Sequence, residues 1–176
     1  MSQPTLTSAR LTLEPLRREH TDGLVALFAD PRASRYFPVD FSDEHAARKM
    51  IASRLAYSGP AELGYWTWLM GDQVVGLGHL QPARDLPGEL VETGWCVKPA
   101  CWRQGLATEA VQTLLEYALR KLNIPAVWAL VDTRNTPSIA LAGLLGFLQV
   151  GSQQLDDGPA HVYVRLPLGY QPGGSR

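Results

Sequence analysis

The stretch from Glu89 to Ala110 constrains this chain most. It runs Glu-Leu-Val-Glu-Thr-Gly-Trp-Cys-Val-Lys-Pro, then Ala-Cys-Trp-Arg-Gln-Gly-Leu-Ala-Thr-Glu-Ala. The first part, Glu89 to Val97, predicts a strand that Pro99 stops. From Leu106 onward, Ala110, Val111, Leu114, Leu115, Ala118 and Leu122 mark one face of a long helix. A short turn containing Gly105 joins the two. Strand, glycine turn and helix in that order expose a row of backbone N–H groups at a helix N-terminus, where the helix dipole favours an anion such as phosphate.

The turn lacks the residues of the familiar nucleotide loops. No G-x-x-x-x-G-K-[S/T] run is present, which argues against an ATPase. Gly76-Leu-Gly78 is half a dinucleotide fingerprint, but Gln81-Pro82 follows where a helix would have to begin. His20, His45, His79 and His161 are scattered and no paired C-x-x-C occurs, so no catalytic metal is expected. No G-x-S-x-G elbow marks a serine hydrolase. What is left is a site for the pyrophosphate of another cofactor.

At 176 residues the chain suits one domain. A formal net charge of −1 gives no reason to expect nucleic-acid or membrane-surface binding. The N-terminal residues lack a hydrophobic signal core, and two cysteines, Cys96 and Cys101, are too few for a disulfide scaffold. A cytoplasmic setting is the expectation.

The rest of the chain predicts a mixed α/β domain of about seven strands, with helices on both faces of the sheet. Arg10 to Pro15 alternates as a first strand. Leu24, Leu27 and Phe28 recur at helical spacing up to Asp30-Pro31. Arg32 to Phe41 is an aromatic-rich link. Ser42 is placed to cap a second helix, with Asp43 and Glu44 in its first turn. Leu63 to Met70 and Gln73 to Leu80 predict a hairpin through Gly71-Asp72. Ala126 to Val131 is continuously apolar, as in a strand buried on both faces. A short helix covers Ile139 to Leu145, ending at Gly146. Phe147 to Leu155 and His161 to Leu166 are the last strands, around Asp156-Asp157-Gly158. Trp66 and Trp68 are expected in the core. Residues 1–166 make one domain and 167–176 a flexible tail.

The order of these motifs resembles the GNAT superfamily of acetyl-CoA-dependent N-acyltransferases, especially its ribosomal-protein N-acetyltransferase-like (RimJ/RimL-like) branch. Thr7 to Leu16 is similar to that branch's opening strand and Glu92 to Pro99 to the family's fourth strand. Trp102 to Ala110 is similar to its pyrophosphate loop and helix. Asn135-Thr-Pro-Ser138, then Leu145-Gly-Phe147, complete the set. The superfamily loop usually reads Gln/Arg-x-x-Gly-x-Gly/Ala. Here Trp102 takes the first position, as is usual in the branch, and Gly105 and Ala107 fit the rest.

The resemblance implies acetyl-CoA as cosubstrate and a primary amine as acceptor, either a peptide N-terminus or a small molecule. Trp102, Arg103, Gln104, Gly105, Leu106, Ala107 and Thr108 are expected around the diphosphate. Trp95, Cys96 and Val97 are expected along the pantetheine arm, with an N–H near Val97 on the oxyanion. Asn135 and Ser138 are expected at the thioester. Glu92, a carboxylate in an apolar strand, is the expected general base; the alternative is an exposed or salt-bridged glutamate. Many family members protonate the leaving thiolate with a tyrosine where this chain has Ala142. Ser138 is the substitute, with Asn135 orienting coenzyme A or a water; capping of the short helix is the alternative for both. Tyr36, Phe37 and Phe41 are expected to line the acceptor site; Asp40, Asp43, Asp156 and Asp157 could attract a cation there, the favoured alternative being ordinary solvated loops and helix caps. A homodimer is compatible with the resemblance. An acyl-CoA-sensing module without turnover is the competing reading, motivated by Ala142.

Overall fold

The computed structural model describes residues 2–167, so most of the expected tail lies outside the described residues. Eight strands form one sheet in the order β1-β2-β3-β4-β5-β6-β8-β7. They are β1 (Leu6–Thr7), β2 (Thr12–Pro15), β3 (Gly64–Met70), β4 (Gln73–Pro82), β5 (Val91–Val97), β6 (Val127–Asp132), β7 (Leu148–Leu155) and β8 (Gly158–Arg165). The extra strand beyond the expected seven is β1, two residues that pair with Leu13 and Thr12 of β2. Four helices cover the faces: α1 (Thr21–Phe28), α2 (Glu44–Leu55), α3 (Leu106–Glu116) and α4 (Thr136–Leu144).

The two faces carry separate apolar cores. Leu24, Leu27, Phe28, Ala47 and Ile51 of α1 and α2 pack on Leu77 and Cys96. Leu106, Ala110, Val111 and Leu114 of α3 pack on Trp66, Trp68, Val75 and Val127 on the opposite side. Trp66 and Trp68 are fully buried, as expected. Trp68 also explains Gly76 and Gly78. A Cβ at these positions would stand 2.3 and 2.6 Å from the indole. The half-fingerprint is therefore a slot for a tryptophan, with no part in binding phosphate.

Several expectations need correction. Asp43, not Ser42, caps α2: its side chain accepts from the N–H of Ala46 at 2.8 Å, while the Ser42 N–H donates to Asp40. The long helix changes winding after Glu116. A π-helical turn over Tyr117–Lys121 closes with the N–H of Leu122 on the carbonyl of Tyr117. β6 is not buried on both faces. Val127, Ala129 and Val131 enter the α3-side core, whereas Trp128, Leu130 and Asp132 are half-exposed on the other side. The physical reason is that the α1/α2 core is built on Leu77 of β4 and Cys96 of β5, with no residue of β6 in it. The final hairpin turns on Asp156 and Asp157 alone, so β8 begins at Gly158.

Candidate active site

The sheet opens between β5 and β6. The two strands pair in parallel only at Val91↔Val127 and Glu92↔Trp128. From Thr93 to Val97, β5 has β4 on one side and no strand on the other among the described residues. The phase of the β4–β5 ladder decides which groups are free. Ala83 N–H donates to the Leu90 carbonyl, and Lys98 N–H to the Val75 carbonyl, each at 2.8 Å. In an antiparallel ladder every second residue bonds the same neighbour. Glu92, Gly94 and Cys96 therefore turn their backbone groups to β4. Trp95 and Val97 turn theirs to the opening, and Thr93 sits at the fork where β5 leaves β6. One of these groups, the Val97 carbonyl, takes the indole N–H of Trp102 at 2.8 Å.

Beyond β5 the chain makes a tight 3-10 turn, Pro99–Cys101, and enters α3 through two left-handed residues, Arg103 (φ 60°) and Gly105 (φ 75°). The first intrahelical bond runs from Glu109 N–H to the Gly105 carbonyl at 3.1 Å. The N–H groups of Leu106, Ala107 and Thr108 are the orphan donors of a helix start. Residues 102–105 are exposed, whereas the Leu106 side chain is buried in the core. The loop is held from behind. Arg10 donates to the Gln104 carbonyl at 2.8 Å and, through Nε, to Glu109 at 2.7 Å. Glu109 also accepts from the Arg10 N–H and the Ser8 hydroxyl. Partial burial opposes ionisation of Glu109, but these hydrogen bonds outweigh it and hold the carboxyl below its ordinary range.

Strand alternation separates the expected catalytic groups. Trp95 lies on the α3/α4 side, against Phe147, with its indole N–H on the Ser138 hydroxyl at 3.3 Å. Asn135 caps α4 by accepting from the Ser138 N–H at 3.2 Å. Ala142, one turn after Ser138, is fully buried. Glu92 is on the α1/α2 side, where its carboxylate accepts from Gln81 Nε2 at 2.9 Å. Gln81 in turn accepts from the Tyr65 hydroxyl at 2.8 Å. His79 stands over Gly94, 4.0 Å from Glu92. Burial pushes the Glu92 carboxyl above its ordinary value; Asp85 adds to this, while the Gln81 hydrogen bond and Arg84 oppose it. His79 is held neutral, its pKa lowered to about 3 by burial first and by the charges of Arg54 and Arg84 second.

Other expected site residues fall elsewhere. Cys96 is turned away from the opening into the α1/α2 core, its thiol on the Ala33 carbonyl and pushed up to about 12 by burial. Phe37 and Phe41 stack edge-on against Phe28, with ring centroids 6.3 and 5.7 Å away, and serve packing first. Tyr36 lies near Arg134, which Asp157 of the last hairpin also neighbours. Gln81, Tyr65, His79 and Arg54 were missed. They lie 11 to 38 positions from Glu92 in the chain, and only the pairing Gln81↔Glu92 brings them in.

A strand edge opened beside a helix N-terminus, with a carboxylate at the fork, is the architecture of an acyl-CoA-dependent transferase. A family profile described as an acetyltransferase (GNAT) domain matches residues 10–148, and the chain belongs to this family of acetyltransferases. It is 33% identical over 150 residues to the uncharacterised N-acetyltransferase p20 of Bacillus licheniformis, covering 84% of each chain. It is 27% identical to the FsC-acetyl coenzyme A-N(2)-transacetylase of Aspergillus fumigatus, over 85% of this chain and 67% of that one. A GNAT-family acetyltransferase of Bacillus anthracis superposes with a TM-score of 0.78 at 17% identity, covering 93% and 98% of the two chains. The ribosomal-protein-S5-alanine acetyltransferase of Vibrio fischeri shares the fold at a TM-score of 0.75 and 11% identity, over 97% of this chain and 100% of that one.

Proposed function

We propose that the protein moves an acetyl group from acetyl-CoA to a primary amine by direct attack, with Glu92 as general base. The opened β5 edge beside the start of α3 carries this reading. Backbone N–H groups between Arg103 and Thr108 fit the diphosphate. The backbone groups of Trp95 and the N–H of Val97, whose carbonyl is taken by Trp102, fit the amide-bearing pantetheine arm as an added strand would. The Val97 N–H then meets the oxygen of the tetrahedral intermediate.

The amine must lose a proton as its lone pair forms the C–N bond. Glu92 takes that proton, directly or through one water. Its hydrogen bond from Gln81 fixes the carboxylate, and burial makes it a stronger base than an exposed glutamate. Collapse of the intermediate breaks the C–S bond and leaves a thiolate. The Ser138 oxygen accepts from Trp95, which leaves its own proton free to donate to sulfur. Buried Ala142 offers no proton, and Ser138 occupies the preceding turn of the same helix face.

The test is thiol release from acetyl-CoA with a panel of amines, alongside direct measurement of CoA binding. Glu92→Gln and Ser138→Ala should lower turnover while leaving CoA affinity close to that of the parent. Tight CoA binding with no release for any amine would instead support the sensing module.

A further inference from the structure

The face that carries Glu92 also carries two arginines that the acetyl-transfer reading leaves unused. Arg54, at the end of α2, is half-buried, with its guanidinium 5.0 Å from the centroid of the Tyr65 ring. Arg84 lies in the loop before β5. Arg10, Arg17, Arg32, Arg48 and Arg134 each have a carboxylate partner; Arg18, Arg35, Arg103 and Arg120 have none among the described residues but are exposed, and partly buried Arg165 donates to backbone carbonyls. Among the described residues no carboxylate comes within ion-pair distance of Arg54 or Arg84. A partly desolvated cation without a counter-charge is costly. Burial lowers the pKa of Arg54, and the neighbouring charge of Arg84 lowers it further.

These cations are tied to the base. Arg54 stacks on Tyr65, whose hydroxyl donates to Gln81, which donates to Glu92. Both arginine charges reach His79, and Arg84 reaches Glu92. Asp85 acts on Glu92 from the same loop. Arg54 thus stands one hydrogen-bonded relay from the base, and Arg84 adds positive charge from the exposed loop before β5. A simple amine or a polyamine leaves that positive charge unmatched.

We infer, on the acetyl-transfer reading above, that the acceptor is zwitterionic: a small primary amine whose skeleton also carries an oxyanion, held by Arg54, with Arg84 adding charge from the neighbouring loop, while the amine faces Glu92. The planar guanidinium suits a carboxylate or phosphate equally, so the shared chemistry is the oxyanion. A peptide N-terminus, whose neighbouring carbonyl is a neutral amide, leaves both arginines unmatched.

Four acceptors separate the cases in one thiol-release assay: L-leucine, L-leucinamide, isopentylamine and O-phosphoethanolamine. The parent protein should favour leucine or phosphoethanolamine over the two uncharged analogues by about tenfold or more in kcat/KM, and the better of the two names the oxyanion. Arg54→Met should reduce that preference to about twofold through KM, because it removes the charge and keeps most of the apolar stem. Arg84→Gln, on the exposed loop, should reduce it in the same direction and serves if Arg54→Met fails to fold. Equal or better use of leucinamide or isopentylamine by the parent would overturn the inference. So would variants that lower all four acceptors alike, since that is what a purely structural arginine would do. Bound CoA without release for any of the four or for other amines would overturn acetyl transfer itself, a separate result.

Discussion

In the proposed mechanism Glu92 concentrates the chemistry at one residue. It lies in β5, accepts one hydrogen bond from Gln81, and is held above the ordinary carboxylate range mainly by burial. Removing the base from such a site typically costs 10²–10⁴ in rate, so Glu92→Gln should lower kcat by about that factor with CoA affinity unchanged. The same substitution should raise stability. A carboxyl whose folded pKa is raised favours folding fully below its unfolded value of about 4.3 and loses that contribution as pH rises toward its folded value. At neutral pH the charged Glu92 is a burden, and Glu92→Gln should melt higher than the parent. His79 has the opposite sign. Its pKa falls from 6.5 unfolded to about 3 folded. Its contribution is therefore present above pH 6.5 and is lost as pH drops toward 3, at up to about 1.4 kcal/mol per pH unit. Urea titrations from pH 7 to 4 should show a smaller loss for His79→Asn than for the parent. At this scale the sequence shows the carboxylate but hides its setting. Glu92 stands out as a charge in an apolar strand, whereas Gln81 and Tyr65 carry no linear mark.

The element proposed to hold the diphosphate is a loop under backbone constraint. Gly105 has φ 75°, and a Cβ there would meet only Arg10 Nη2, at 3.5 Å. Gly105→Ala should thus cost about 1–2 kcal/mol through left-handed strain rather than collision, and should weaken CoA binding as the loop shifts. Glu109 is the clamp behind it, gathering Ser8 and Arg10 to the first turn of α3. Glu109→Ala removes an acceptor used by charged and neutral donors. It should lower the unfolding free energy by about 1–3 kcal/mol in a denaturant titration, together with CoA affinity measured by calorimetry. Because the Glu109 carboxyl is held low in the folded state, its stabilisation is present above its unfolded pKa and fades as pH falls through the folded value. The strand–turn–helix order was readable from Pro99, Gly105 and the spacing of Leu106, Ala110 and Leu114. The clamp was not, since Arg10 and Glu109 are 99 positions apart.

At the scale of the molecule, one sheet carries two cores and one opening. The cores were legible wherever apolar residues repeat with a clear period, as in α3 and in the β3–β4 hairpin. β6 misled for a physical reason. Trp128 and Leu130 are apolar, yet they are only partly buried on the side beyond the α1/α2 core, so composition suggested fuller burial than topology supplies. The opening itself is invisible in the sequence, because it depends on where β5 and β6 stop pairing. No helix of the described residues is long and apolar enough to cross a membrane. Gly76→Ala tests the shared sheet. With Cβ 2.3 Å from Trp68 and 2.9 Å from the Cys96 carbonyl, the substitution should cost about 3 kcal/mol or more or prevent folding, read as loss of a cooperative melt. The central claim is that coenzyme A lies along the freed edge of β5 with its diphosphate on the amides that open α3. Residue-resolved amide hydrogen exchange, with and without saturating CoA, tests this most directly. New protection should appear at Trp95, Val97 and the amides from Arg103 to Thr108. Saturating CoA that left exchange in both segments unchanged would contradict it.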